Sequence, residues 1–245
     1  MPGAYQLDIV GESERLEVAA RQRMEDWRRQ AVRFTAAYPG AVYTNGPDAA
    51  KVALTFDDGP DSAVTHHIAE ILTQYGLKGS FFFVGSQVTR FPEIVQAVHE
   101  GGHLVGNHSY RHPRLTELAP EAVQSELEET QEAIQAAIGR TPALFRPPFG
   151  SANPTVIEAA RRLGCATVLW SLDTLDWLQK EEAHIRLNVD RHVRGGEIIL
   201  MHSSAGCTET AKAMPRLVES LLKRGLAVAG LDELLGIAAY RESAG

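Results

Sequence analysis

The chain has 245 residues, with 31 Asp plus Glu against 24 Lys plus Arg and a formal charge of −7. It is long enough to bury a sizeable core, and its charge repels a phosphate backbone rather than tracking one, so nucleic acid is not an expected partner. Hydrophobic residues at 44% and charged residues at 22% are ordinary globular usage and exclude a disordered or collagen-like chain, while two cysteines, Cys165 and Cys207, exclude a disulfide scaffold and a cysteine-ligated zinc site.

From the N-terminus, no basic region followed by an apolar run is present, and no apolar stretch anywhere is long enough for a transmembrane segment. Either a cytoplasmic protein or one whose leader is absent from this chain fits. Residues 14–34 carry Leu16, Ala20, Met24, Trp27, Ala31 and Phe34 at spacings of three or four, which predicts an amphipathic helix. Its polar face holds Arg15, Arg21, Arg23, Arg28, Arg29 and Arg33. A helix packed on the main domain is the ordinary reading, with a membrane-surface or partner-binding helix as the other. Residues 36–50 read as a loop or short hairpin, from Pro39, Gly40, Asn45, Gly46 and Pro47.

Beyond residue 50, short apolar runs alternate with helix-length amphipathic segments. Strands are expected at 52–56, 80–84, 104–107, 144–146, 166–170, 198–201 and 226–229, and helices at 62–75, 91–100, 120–138, 153–163, 180–193 and 209–224. Gly76, Gly101, Gly139, Gly164 and Gly225 close several helices and suit a left-handed cap. An open doubly wound sheet and a closed or distorted barrel both fit. No glycine-rich phosphate motif is present to support nucleotide binding.

Five of the strands run directly into polar or ionisable residues, and the C-terminal ends of parallel strands are where α/β proteins build their sites. Asp57 and Asp58 end the first, a pair that suits metal binding by one and proton transfer by the other, although Asp-Asp-Gly-Pro is also ordinary turn chemistry. His108 and His112 stand four apart, a spacing at which a helical turn or tight loop aims two imidazoles at one cation; two surface histidines would look the same. One carboxylate and two histidines are the donor set of a catalytic rather than structural zinc-type site. Arg146, stiffened by Pro147 and Pro148, can hold a carboxylate in a fixed fork, or form a structural ion pair. His202, with Asp173 and Asp176 available, has the makings of a carboxylate-oriented imidazole, or of a core histidine.

Thr55-Phe56-Asp57-Asp58-Gly59-Pro60, His108-Ser109-x-x-His112, Arg146-Pro147-Pro148-Phe149-Gly150, Asp173-x-x-Asp176-Trp177 and Leu200-Met201-His202 resemble, in order, the five motifs of the polysaccharide deacetylases, the NodB-homology enzymes of carbohydrate esterase family 4. The resemblance implies an α/β fold, a distorted (β/α) barrel of about seven parallel strands. Residues 51–245 would form that domain, and residues 1–50 an N-terminal helical extension. It implies Asp58, His108 and His112 as ligands of a divalent metal ion, zinc first and cobalt or another divalent ion otherwise. Asp57 is implied as general base on a metal-activated water and His202 as general acid, its proton held by Asp176. Arg146 orients Asp57, and the backbone N–H of Phe149 faces the oxyanion. Trp177 and Leu200 wall the pocket for the acetyl methyl, and Ser109 braces the histidine loop. Many relatives carry Tyr where Phe149 stands, so a hydroxyl contact to sugar is expected to be lost.

The implied reaction is removal of N-acetyl groups from a GlcNAc-containing polysaccharide, peptidoglycan or chitin-like, with release of acetate. The acetylated polysaccharide is the expected partner, a monomer the expected state, and the cell envelope or exterior the expected location, with the cytoplasm still open. Acetylxylan O-deacetylation, hydrolysis of a small cyclic amide, and glycan binding without turnover are the alternatives.

Overall fold

The computed structural model describes residues 6–11 and 16–242. Glu14 and Arg15 of the expected N-terminal helix lie outside them. Nine strands are found among the described residues: β1 (Val42–Tyr43), β2 (Lys51–Asp57), β3 (Ser80–Phe83), β4 (Leu104–Asn107), β5 (Leu144–Phe145), β6 (Ala166–Val168), β7 (Leu172–Asp173), β8 (Ile198–His202) and β9 (Ala227–Val228). They alternate with helices α1 (Val18–Ala37), α2 (Val64–Gln74), α3 (Gly85–Arg90), α4 (Pro92–Glu100), α5 (Pro120–Ile138), α6 (Pro154–Arg162), α7 (Glu182–His192), α8 (Thr208–Lys223) and α9 (Leu231–Leu235).

The sheet runs in the order β1-β6-β5-β4-β3-β2-β8-β7, with β9 beside the start of β2, and every strand pairing is parallel. This is the distorted (β/α) barrel that the sequence implied. It has two strands more than expected: β1 lies in the segment read as loop, and β7 is a two-residue strand too short to give a periodic signal. The two end strands are joined by residues 6–11 rather than by each other. On one side the Val10 N–H donates to Ser171 O at 2.7 Å and Asp173 N–H to Val10 O at 3.0 Å; on the other, Leu7 N–H and Gln6 Nε2 donate to Asn45 Oδ1, both at 3.1 Å, just past β1.

Side-chain parity explains how the strands present their residues, because successive residues of a strand face opposite ways. On β2, Val52, Leu54 and Phe56 pack outward with α2 and α8, in one cluster with Phe81, Phe83, Ile199 and Met201. Ala53, Phe82, Leu104, Leu144, Ile198 and Leu200 share a second cluster inside the barrel. Both faces are therefore apolar, which is why the strands read as continuous hydrophobic runs. Each fully buried Phe or Leu contributes roughly 1.5–3 kcal/mol.

Four of the five expected glycine caps are left-handed, at Gly76, Gly139, Gly164 and Gly225. At the end of α4 the expectation shifts by one residue: Gly101 stays right-handed at φ −68°, and Gly102 makes the turn at φ 85°. The two cysteines are free, Cys165 buried and Cys207 partly so.

Candidate active site

Continuing the inward parity of each strand by one step reaches the polar residues. Ala53 and Thr55 lead to Asp57, Leu104 and Gly106 to His108, Leu144 to Arg146, and Ile198 and Leu200 to His202. Asp57 and His202 are direct partners across the β2–β8 ladder. Asn107, of the opposite parity, turns outward and donates from Nδ2 to Leu127 O of α5 at 2.8 Å. Asp57, His108 and His202 converge on one groove of about 660 Å³, which Asp58, His112, Phe149, Trp177 and Leu200 also line; Arg146 is buried and meets it through Asp57.

Arg146 is fully buried and uses its whole fork. Nη1 donates to Asp57 Oδ1 and Thr55 Oγ1, both at 2.8 Å, while Nε and Nη2 donate to the carbonyls of Val168 and Leu169 at 3.0 Å. A planar guanidinium tied at four points cannot swing, so Asp57 is held in one rotamer. Burial pulls the Arg146 pKa below its ordinary value, with the Asp57 charge opposing.

Asp58, His108 and His112 place one donor atom each within 4.8 Å of one another. Asp58 Oδ1 lies 3.4 Å from His108 Nε2 and 3.1 Å from His112 Nε2. The His108 Nδ1–H donates to Arg146 O at 2.7 Å, which turns Nε2 and its lone pair toward the carboxylates. Burial opposes ionisation of Asp58, yet the hydrogen bonds and charges of the two histidines outweigh it and hold its carboxyl well below the usual carboxylate range. Burial likewise disfavours a charged His108, but Asp57 and Asp58 overcome it and raise its pKa. One carboxylate and two oriented imidazoles fit a divalent ion of the zinc type. Such an ion competes with the proton on His108, so its binding weakens as pH falls.

The histidine pair does not sit on a helical turn. It spans a loop in which Ser109 and His112 are left-handed, at φ 62° and 60°. The expected brace from the Ser109 side chain is also absent: its Oγ is buried without a partner among the described residues. The backbone does this work instead, because a left-handed Ser109 turns its N–H to Asn107 Oδ1 at 2.9 Å. Sequence reasoning missed Glu126 of α5, whose Oε2 accepts from the Tyr110 and Arg111 N–H groups at 2.9 and 2.8 Å. The available signal was an acidic residue on a helix face otherwise made by Val123, Leu127 and Ile134.

On the opposite wall, His202 Nδ1 lies 2.7 Å from Asp176 Oδ1, and Asp176 Oδ2 accepts from His202 N–H at 2.8 Å and from Thr210 Oγ1 at 2.7 Å. Of the two carboxylates available to His202, Asp176 is thus the partner, while Asp173 accepts from Leu175 N–H at 2.9 Å. Burial disfavours the charged form of His202, but the Asp176 charge and hydrogen bond prevail and push its pKa up to about 10. Thr210, on the buried face of α8, was also missed. Leu200 is buried, whereas Trp177 and Phe149 are 45% and 54% exposed. The Phe149 ring stands edge-on to His112 at 4.7 Å, with Arg114 over it at 4.8 Å.

The sequence model of the polysaccharide deacetylase family matches residues 44–168. The peptidoglycan-N-acetylglucosamine deacetylase PgdA of Listeria monocytogenes is 35% identical over 186 residues, which are 76% of this chain and 39% of that protein. The chain therefore spans well under half of that relative. Among solved structures, the Bc1960 peptidoglycan N-acetylglucosamine deacetylase, in complex with 4-naphthalen-1-yl-N-hydroxybenzamide, superposes with a TM-score of 0.81 at 30% identity, covering 85% of this chain and 99% of that one. BA3943 of Bacillus anthracis, a pseudoenzyme of carbohydrate esterase family 4, superposes with a TM-score of 0.75 at 29% identity, covering 79% and 68%.

Proposed function

The chain belongs to the polysaccharide deacetylase family, and from that premise we propose that it hydrolyses the N-acetyl groups of a GlcNAc-containing cell-wall polymer, peptidoglycan first, and releases acetate. The observation that carries this reading is the convergence on one groove of the Arg146-held Asp57, the Asp58–His108–His112 donor set and the Asp176-held His202. Residues 51–245 are proposed as the deacetylase unit and residues 1–50 as an N-terminal extension with an amphipathic helix. Among the described residues no helix is long and apolar enough to cross a membrane. The cell envelope is the proposed location because the substrate lies there.

Asp58, His108 and His112 would hold the divalent ion, which supplies Lewis acidity to water and to the acetyl carbonyl. Asp57, fixed by Arg146, takes the proton of the attacking water. The Phe149 amide, in the turn after two prolines, donates to the oxyanion that develops on the acetyl oxygen; an aligned donor of this kind is worth about 3–4 kcal/mol. His202, kept protonated through neutral pH by Asp176, delivers its proton to the departing sugar nitrogen. Leu200 and Trp177 wall the pocket for the acetyl methyl.

Acetate release from peptidoglycan, N-acetylchitooligosaccharides and acetylated xylan, each with added zinc or cobalt, tests the reading. Release from the first two above xylan is expected. Preference for xylan would make the enzyme an O-deacetylase, and saturable glycan binding without release would place it with the pseudoenzyme relative.

A further inference from the structure

Helix α1 precedes the stretch that the family model matches, yet its side chains reach the groove. Ala20, Met24 and Trp27 line it together with Asp57 and His202, so the apolar stripe of α1 faces two ways. Its C-terminal half, at Ala31 and Phe34, packs into the inner core. Its N-terminal half is a wall of the candidate site.

Trp27 makes the closest connection. Its indole stacks on Trp170 with ring centroids 4.4 Å apart and an interplanar angle of 27°, and its Nε1–H donates to Gly150 O at 2.8 Å. Phe149 and Gly150 are consecutive left-handed residues, at φ 60° and 62°. A Cβ on Gly150 would come within 2.6 Å of Trp170 and 2.7 Å of Trp27, so the two indoles close directly over this turn. For a bulky residue such as Phe149 a left-handed backbone costs about 1–3 kcal/mol, and it persists only where the surroundings fix it. Two turn hydrogen bonds, Gly150 N–H to Pro147 O and Ser151 N–H to Pro148 O at 3.0 Å, hold one side. The bond from Trp27 holds the carbonyl on the other.

We infer that Trp27 is a positioning residue: through the Gly150 carbonyl it fixes the turn that aims the Phe149 amide, so the N-terminal helix is part of the catalytic unit. This role rests on the deacetylase reading above. Without that bond the Gly150–Ser151 peptide can rotate, the Gly150 backbone leaves its left-handed conformation, and the turn that holds Phe149 left-handed loses its support on this side. A misplacement of about 1 Å in such a donor is enough to lower turnover strongly while leaving sugar binding intact.

The test compares Trp27→Phe, which keeps a ring against Trp170 and removes the donor, with Phe34→Ala, which loosens the core half of the same helix. Acetate release from N-acetylchitotetraose by metal-loaded protein gives kcat and KM; hydrogen exchange at the Gly150 and Ser151 amides is followed in metal-free protein. Trp27→Phe is expected to lower kcat about tenfold with KM within about twofold, and to speed exchange at both amides. Phe34→Ala is expected to lower Tm and leave kcat and that exchange unchanged. Wild-type kcat and exchange in Trp27→Phe, or equal kcat losses in the two variants, would overturn the inference. Should the wild-type chain release no acetate, the deacetylase reading fails by itself, and the exchange rates still decide whether Trp27 fixes the turn.

Discussion

The two walls of the groove are built on different principles. Asp57, Arg146 and His202 leave regular strands with the parity of the barrel interior, and each is held by short side-chain hydrogen bonds. Asp58, His112 and Phe149 sit on left-handed backbone, at φ 70°, 60° and 60°, and their positions come from the loops around them. The proton-transfer wall is thus set by strand geometry that tolerates little adjustment. The ligand wall, His108 apart, is set by local strain, which the rest of the fold must offset.

The largest effect is expected on the strand-built wall. Asp57→Asn keeps an acceptor for Arg146 but loses the base and the counter-charge, so kcat should fall about 10²–10⁴-fold and the thermal midpoint should drop. Asp57→Ala loses the acceptor as well as the charge and should destabilise the protein more, by about 3–5 kcal/mol, because it leaves the buried Arg146 without a partner on that side. A denaturation curve of Asp57→Ala equal to that of wild type would show that the ion pair does not hold this wall.

On the ligand wall, Glu126→Ala removes the acceptor of two loop amides without touching a donor atom. Zinc affinity measured by calorimetry should drop about tenfold, by analogy with supporting groups behind metal ligands. Unchanged affinity would mean that the histidine loop holds itself.

Asp176→Asn probes the acid through pH. Since Asp176 raises the His202 pKa to about 10, the alkaline limb of wild-type kcat/KM should lie at high pH. The variant's limb should move to lower pH, toward the ordinary histidine value of about 6.5. A bound cation lowers both limbs but keeps their order. The stability sign follows: the folded-state value lies above the unfolded one, so the pair stabilises fully below about pH 6.5 and its contribution is lost as pH rises toward about 10. A limb that stays in place would remove His202 from the role of acid.

The smallest effect is Ser109→Gly. It relieves a left-handed serine and removes a buried hydroxyl without a partner, against the extra freedom glycine gives the unfolded chain. A net gain of about 1 kcal/mol, or roughly 2–4 °C in Tm, is expected. A fall in Tm would show that the loop needs the serine.

The same contrast separates what the sequence carries from what it does not. Strand parity is written in the alternation of Ala53, Thr55 and Asp57 or Ile198, Leu200 and His202, so the inward-facing residues of the site were legible. Nothing in the residue types at Ser109, His112 or Phe149 announces a left-handed backbone, because that conformation is imposed by packing from α5 and α1. Glu126 and Thr210 were half legible, as polar residues on buried helix faces whose partners lie far off in sequence. Trp27 was legible as part of an apolar stripe, but the stripe does not say that one half of it meets the core and the other a groove.

The measurement that goes most directly to the central claim is a zinc titration of chelator-stripped protein, with binding and acetate release from N-acetylchitotetraose followed together, for wild type and His112→Ala. One equivalent should bind to wild type and restore release in proportion, and His112→Ala should show neither. Full release by the stripped protein, or release restored equally in His112→Ala, would contradict the assignment of Asp58, His108 and His112 as the ligands on which the hydrolysis depends.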